Sequence, residues 1–351
     1  MKATTYLPVF LFLLVTPQLR AQWRLLEVPT TASFRSVHAP HPLVCWAGGS
    51  HGTILRTTDG GIQWQVQQVA GADSLDFRDI HAFDALTAVT MSAGEAEQGK
   101  ARIYRTEDGG QTWQIVYQTT QKGIFLDGLD FWDDRRGICF GDPVEGRFFI
   151  LTTRDGGRSW HELPVADRPA AQPDEAAFAA SGTSLISVGK KTAYIGTGGA
   201  TVARILQTNN YGATWQSLST RLPAGPSSGI FGLRFWSKKK GIAVGGDYRT
   251  FTVESPNVLI TKDGGKSWQL TEGTRPPGLK ESVGLYRQEP FGKRNVLLMA
   301  VGASGSGYSA DQGRSWVPLD HHPFHAVSFA GNVGYAVGGK GLVGKWGGSN
   351  E

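Results

Sequence analysis

The sequence predicts an all-β fold: a seven-bladed β-propeller of four-stranded blades, closed by the N-terminal strand completing the last blade. Three observations predict it. An octet recurs as TTDGGIQW (57–64), TEDGGQTW (106–113), TRDGGRSW (153–160), TNNYGATW (208–215), TKDGGKSW (261–268) and SADQGRSW (309–316). The starts lie 49, 47, 55, 53 and 48 residues apart, the period of a propeller blade. Before the octets runs a second pattern, an apolar strand, a turn and an aliphatic strand ending in glycine, as in LDFWDDRRGICFGD (129–142), LRFWSKKKGIAVGGD (233–247) and VSFAGNVGYAVGGKG (327–341). Finally, 47 glycines and 11 tryptophans among 351 residues, with 19% charged, suit short strands and tight turns, and no long amphipathic helical period appears.

At the N-terminus, Lys2 is followed by an apolar run from Leu7 to Val15, then Pro17 and the small Ala21. This is the layout of a secretory signal peptide, and the run is too short to span a bilayer. Residues 1–21 are therefore read as a signal peptide and 22–351 as a single propeller domain with no further membrane span. The mature chain is expected to be exported, to the periplasm or outside the cell, and to be a monomer. Without Lys2 and Arg20 it keeps 33 basic and 30 acidic residues, a net charge of +3 in place of +5, too weak a bias for a nucleic-acid partner.

Each octet reads as a hairpin turn between the third and outer strands. Asp59, Asp108, Asp155, Asp263 and Asp311, with Asn210 in the fourth copy, accept hydrogen bonds from their own turn, glycines supply positive φ, and the leading Thr or Ser adds a hydroxyl. Trp64, Trp113, Trp160, Trp215, Trp268 and Trp316 then pack back on their blades. GKGLVGKW (339–346) reads as a decayed seventh copy. The last unit lacks an outer strand, and QWRLLEVP (22–29), which resembles SWHELPVA (159–166) with Trp23 in the place of Trp160, is expected to supply it and remove the free edge. The two cysteines, Cys45 and Cys139, fall two blades apart on inner strands and are read as buried thiols, with no structural metal site.

Strand direction sorts the loops onto two faces. Loops leading into inner strands, and loops joining second to third strands, share the face called here the top, at the channel mouth where propellers usually take ligands. Aligned inner strands place Arg35, Arg78, Asp127, Ser184, Phe231, Glu281 and His325 at one level, and His38, His81, Asp130, Ser187, Arg234, Gly284 and Ser328 three residues on. Such side chains line a wet channel or pair with one another. The second-to-third loops GEAEQGK (94–100), GDPVEGR (141–147) and GGDYRTF (245–251) add Glu95, Asp142 and Asp247, either a converging acidic set or turn-capping residues. The long insertion PVADRPAAQPDEAAFAASGTS (164–184) also reaches the top. A short helix is expected over Asp174–Ala180, with Glu175 and Phe178 near the mouth. The candidate ligand site is thus Arg35, Arg78, Glu95, Asp127, Asp142, Glu175, Asp247 and His325. On the opposite face, Arg135, Arg136 and Lys238 to Lys240 form a basic rim of solvated turn charges or a docking patch.

The octets match the Asp-box, or BNR repeat, Ser/Thr-x-Asp-x-Gly-x-x-Trp. Together with the order of inner strand, glycine-ended strand, octet and outer strand, they make the chain resemble the photosystem II stability/assembly factor family of seven-bladed propellers, and within it the exported, non-photosynthetic bacterial relatives. Sialidases and xyloglucan hydrolases also carry this repeat, so it identifies a fold and not an activity. The Arg-Ile-Pro motif of sialidases is absent, with SFRSV (33–37) the nearest stretch, and two-propeller xyloglucan hydrolases are about twice this length. GTGGAT (196–201) does not follow a strand and open a helix, as a dinucleotide loop would. No cofactor is expected. The resemblance implies a non-catalytic scaffold engaging a protein or glycan of the cell envelope through the top face. The alternative is a glycoside hydrolase or lyase using the top-face carboxylates with Arg35 or Arg78 as an anion clamp.

Overall fold

The computed structural model describes residues 22–287 and 296–347. The segment read as a signal peptide lies outside the described residues. Seven antiparallel four-stranded sheets form a closed ring. Blade I runs Phe34–His41, Val44–Gly49, Thr53–Thr57, Gln65–Gln68, and blade II Asp76–Ala82, Ala88–Ala93, Arg102–Thr106, Gln114–Gln118. Blade III runs Leu126–Phe131, Gly137–Val144, Arg147–Thr153, His161–Glu162, and blade IV Leu185–Val188, Thr192–Gly196, Val202–Thr208, Gln216–Pro223. Blade V runs Ser228–Phe235, Gly241–Asp247, Val258–Thr261, Gln269–Leu270, and blade VI Ser282–Arg287, Val296–Gly302, Gly305–Ser309, Val317–Asp320. Blade VII contributes Phe324–Ala330, Val333–Gly338 and Val343–Trp346.

The outer strand of blade VII is Arg24–Leu26, in register Arg24 with Lys345, Leu25 with Gly344 and Leu26 with Val343. Trp23 fixes this closure. Its ring is buried 5.3 Å from Phe324 and 5.4 Å from Trp346, and its indole N–H reaches Ser306 Oγ of blade VI at 3.3 Å. Trp23 also lies 6.3 Å from Phe329, as Trp160 lies 5.7 Å from Phe131 in blade III, so the two tryptophans play the same part.

The core lies between blades. Val89, Met91, Ile103, Leu129, Phe131, Cys139, Phe149, Leu151 and Trp160 form one such layer, between blades II and III. Because a middle strand is covered on both faces, Val44–Gly49 and Ala88–Ala93 are buried at every position and read as apolar runs, whereas the outer Gln65–Gln68 and Gln114–Gln118 face water.

The octets are hydrogen-bonded turns. In blade III, Thr153 Oγ1 donates to Asp155 Oδ1 at 2.7 Å and accepts from Gly157 N at 3.0 Å, while Ser159 donates to Asp155 through N (3.0 Å) and Oγ (2.6 Å). Gly156 and Gly157 take φ +74 and +81, which favours residues without Cβ. In blades II, III and V the turn is tied to the inner hairpin of its own blade, Gly156 N to Arg135 O at 2.8 Å, Gly109 N to Leu86 O and Gly264 N to Lys239 O at 2.9 Å, so both turns share the bottom face. The preceding blade grips the same turn. Arg105 Nε donates to Gly156 O (2.9 Å), Gln67 Nε2 to Gly109 O (2.8 Å), and Lys345 Nζ to Gly60 O (2.7 Å).

Three local expectations change. GKGLVGKW is not an octet: Val343–Trp346 is the third strand itself, whereas the six octets begin on the last residue of that strand. The segment keeps the closing tryptophan, but it has Gly339, Gly341 and Val343 where the octets carry the Thr or Ser, the Asp and the glycine that close the turn. Cys45 and Cys139 are buried free thiols, but on second strands; burial drives both thiol pKa values up. Asp174–Ala180 is not helical; Ala176 pairs with Gly198 through both backbone groups, at 3.0 and 2.9 Å. That pairing satisfies the backbone of an Ala-rich run that would otherwise favour a helix.

Candidate functional site

Five inner strands carry a β-bulge at the same level. The register jumps from Phe34 to Ser36, Phe77 to Asp79, Leu126 to Gly128, Ile230 to Gly232 and Phe324 to Ala326, leaving Arg35, Arg78, Asp127, Phe231 and His325 outside their ladders. Ser184 and Glu281 immediately precede the inner strands of blades IV and VI. A bulge re-aims one side chain without disturbing the alternation on either side, here toward the channel.

Contacts show which residues converge. Arg35 Nη1 lies 3.1 Å from Glu281 Oε1, and His325 Nδ1 lies 2.8 Å from Glu281 Oε2, so blades I, VI and VII meet on one nearly buried carboxylate. Arg78 donates to Asp76 Oδ2 at 3.1 Å and to Ala179 O, in the long insertion, at 3.0 Å. Phe231 stacks on Phe178 at 4.3 Å with the rings 2° from parallel, and Tyr248 stands 6.1 Å from Phe178, largely exposed.

A second group forms at blades II and III. Asp127 is 1% exposed and neither carboxyl oxygen has a well-formed hydrogen bond. Burial, reinforced by the Asp142 charge, raises its pKa well above the carboxylate range. Asp142 accepts from Ala177 N at 2.9 Å, and burial, with the Glu95 charge adding to it, pushes its pKa up to about 6. Asp247 stays within its own turn: burial opposes the charge, but hydrogen bonds, including Arg249 N at 2.8 Å, hold its pKa down.

Glu175 departs from expectation. Its side chain is fully buried and forked onto Arg204 Nε (2.8 Å) and Nη2, with Thr197 Oγ1 at 2.7 Å and Gln172 N at 2.8 Å. It staples the insertion to blade IV, facing away from the mouth, and leaves Phe178 as the insertion's contribution there.

Deeper in the channel, the His38 and His81 rings lie 4.6 Å apart. His38 Nδ1 accepts from Ala82 N at 2.8 Å, and burial, with the neighbouring His81, lowers its pKa to about 3. Asp130 accepts from His81 Nδ1 (3.1 Å), Phe131 N (2.8 Å) and Ser187 N (2.6 Å). The sequence reading passed over Asp79, a buried acid accepting from Ile80 N at 2.8 Å and Leu129 N at 2.7 Å, whose pKa burial raises to about 8. Its only signal was a carboxylate in the inner-strand segment DFRDI.

The resemblance drawn from octets and blade order holds against known proteins. Residues 15–121 match the family described as the photosynthesis system II assembly factor YCF48. The photosystem II assembly protein Ycf48 of Synechococcus sp. strain JA-3-3Ab is 25% identical over 181 residues, covering 40% of this chain and 53% of that protein. The photosystem II assembly lipoprotein Ycf48 of Synechococcus sp. strain CC9902 is 26% identical over 152 residues, 43% of each chain. The match spans about half the length of these relatives. Among solved structures, YCF48 from Cyanidioschyzon merolae superposes with TM-score 0.64 at 15% identity over 93% of this chain and 99% of its own. A YCF48 bound to D1 peptide gives 0.63 at 15% identity over 93% and 97%. An ancestral GH74 enzyme gives 0.63 at 12% identity over 92% of this chain and 45% of its own. At these identities the structural likeness is one of fold.

Proposed function

We propose that this protein is an exported scaffold that holds a segment of a partner protein at the top mouth of its channel. The observation that carries the reading is the Phe178–Phe231 stack at the same mouth as two partly exposed guanidiniums, Arg35 and Arg78. Such a mouth offers apolar side chains the half-buried Phe178 ring, backed by the buried Phe231, together with the exposed Tyr248, and offers carboxylates bidentate donors, the pairing that recurs at protein-binding hot spots. The similarity to YCF48, one structure of which holds a D1 peptide, supports a peptide as ligand. The signal-peptide reading, with a lipoprotein among the relatives, supports export, and we place the protein in the periplasm. Among the described residues no helix is long and apolar enough to cross a membrane.

A photo-crosslinking residue at position 248 in the native envelope should capture a defined protein that the same residue at position 62, on an octet turn, does not. Arg78→Glu should abolish that capture. Equal capture at both positions, or capture indifferent to Arg78→Glu, overturns the proposal.

A glycan-active enzyme is favoured by one observation, the raised pKa values of Asp127 and Asp142 beside Glu95, since acid and base roles need neighbouring carboxyls with separated pKa values. Hydrolysis of an envelope glycan by the purified protein, lost in Asp142→Asn, would establish it over the scaffold.

A further inference from the structure

We propose a second binding site at the bottom end of the channel: an oxyanion pocket between blades IV and V, anchored by the Arg234 guanidinium with Lys238 as its second cation. The site is separate from the top mouth and does not depend on the function proposed for it.

The pocket is a cavity of about 300 Å³ lined by Asp130, Ser187, Gly189, Arg234, Ser237 and Lys238 among others. Arg234 lies three residues below the Phe231 bulge, on the inner strand of blade V. Its side chain is open to solvent through the channel yet surrounded by protein, and burial is the main influence lowering its pKa. Among the described residues it makes no hydrogen bond or ion pair.

The nearest carboxylate, Asp130, is already satisfied by His81, Phe131 N and Ser187 N. It attracts Arg234 from a distance, while Arg287, at the bottom end of blade VI, repels it. Around the rim, the blade IV hairpin carries Lys190 and Lys191, and the blade V hairpin Lys238, Lys239 and Lys240, all exposed. The corresponding inner-strand position carries His38, His81, Asp130, Ser187, Gly284 and Ser328 in the other blades, so Arg234 is the one arginine of that ring.

A guanidinium has five donors in a planar fork and cannot shed its charge. Open to solvent and without a paired carboxylate among the described residues, Arg234 has its donors free for water or an anion. Arg234 and Lys238 outweigh the single, already satisfied carboxylate in the lining, so the local potential favours an anion. The fork suits an oxyanion with two oxygens, a phosphate or a carboxylate. The volume sits at the lower end of small-molecule pockets, room for one such group with a short stem.

The test is titration of inorganic phosphate into the intact protein, followed by calorimetry and by the Arg234 Nε–H resonance. We expect one site, a shift of that resonance, at least a tenfold affinity loss in Arg234→Gln, a smaller loss in Lys238→Gln, and no change in Lys262→Gln. A short Asp-rich peptide that competes with phosphate identifies a peptide carboxylate as the source; one that fails to compete while phosphate binds identifies a free anion. Because the Arg234 side chain makes no hydrogen bond or ion pair among the described residues, Arg234→Gln should unfold as the wild type does; if it does not, the resonance shift and Lys238→Gln decide. No saturable shift with millimolar phosphate or with the peptide, or equal affinity in Arg234→Gln, overturns the proposal.

Discussion

Arg35 and Glu281 stand 246 residues apart in the chain and 3.1 Å apart in the structure, joining blades I and VI across blade VII. The Glu281 side chain is 4% exposed and that of Arg35 30%, and His325 takes the second carboxylate oxygen. The partial exposure of Arg35 screens the pair, yet the buried carboxylate keeps it above an ordinary surface bridge. Glu281→Gln should cost about 1–3 kcal/mol, and the double-mutant cycle with Arg35→Ala should return a coupling of about 1 kcal/mol in urea unfolding. A coupling near zero would mean that the carboxylate serves His325 alone.

Asp155→Ala removes the acceptor of Ser159 N and Oγ and should cost about 1 kcal/mol, as loss of a capping carboxylate does, without changing partner capture at the top face. The pKa values of Asp108 and Asp155 are depressed to about 2, for Asp108 chiefly by hydrogen bonds from Thr112, and for Asp155 by those from Ser159, which overcome the opposing effect of burial. A carboxyl depressed in the folded state adds stability above its unfolded pKa of about 4 and loses it as pH falls toward 2. Wild-type denaturant midpoints should therefore fall as the pH drops from 6 to 2, and Asp155→Asn should flatten that pH dependence.

Glu175→Ala leaves Arg204 charged, 8% exposed and without its carboxylate. The expected cost is about 3–5 kcal/mol, while replacing both by apolar residues of similar volume should recover much of it. Thermal unfolding of the single and double variants measures the difference. Equal damage in both would show that packing, and not the charge, holds the insertion.

Trp23→Ala should cost about 3–5 kcal/mol, since the indole is 6% exposed and seals the first strand against blades VI and VII. Trp160→Ala, the equivalent within one blade, should cost a similar amount. Hydrogen exchange should show fraying at residues 24–26 in the Trp23 variant and not in the Trp160 variant.

Asp127 supplies a pH test of opposite sign. Its folded pKa is raised, so between the unfolded value near 4 and the folded value the native state holds a proton that the unfolded chain has lost. Stability falls as pH rises through that window, by up to about 1.4 kcal/mol per unit for one site. Asp127→Asn should be more stable than wild type at pH 8 and similar at pH 4, read by denaturant midpoints. The reverse order would mean that the carboxylate has a cationic partner.

The parts of the fold legible in the sequence are those governed by local chemistry. An octet carries its own turn, from Thr153 and Asp155 to Ser159, so it can be read wherever it falls, and Trp23 could be matched to Trp160 because both lead into an outer strand. Failures came where distant partners overrule local preference. DEAAFAA favours a helix by composition, but Gly198 and Arg204 draw it into extended pairing. GKGLVGKW keeps only the octet's closing tryptophan, and its Lys345 is spent on Gly60 of blade I. At the mouth, aligning the strands put Arg35, Glu281 and His325 at one level, but which of them touch depends on bulges and ring geometry that no residue type announces. Asp79 escaped notice because a buried acid and an exposed one are spelled the same way.

The bulges at Arg35, Arg78, Asp127, Phe231 and His325 hold residues that belong to no hydrogen-bond ladder. Their side chains therefore contribute little to the register of the strands, and exchanging one leaves the hydrogen bonds on either side in place. In effect the propeller separates its grammar from its vocabulary: the strands fix where each slot points, and the slots can be rewritten one at a time to read a different ligand.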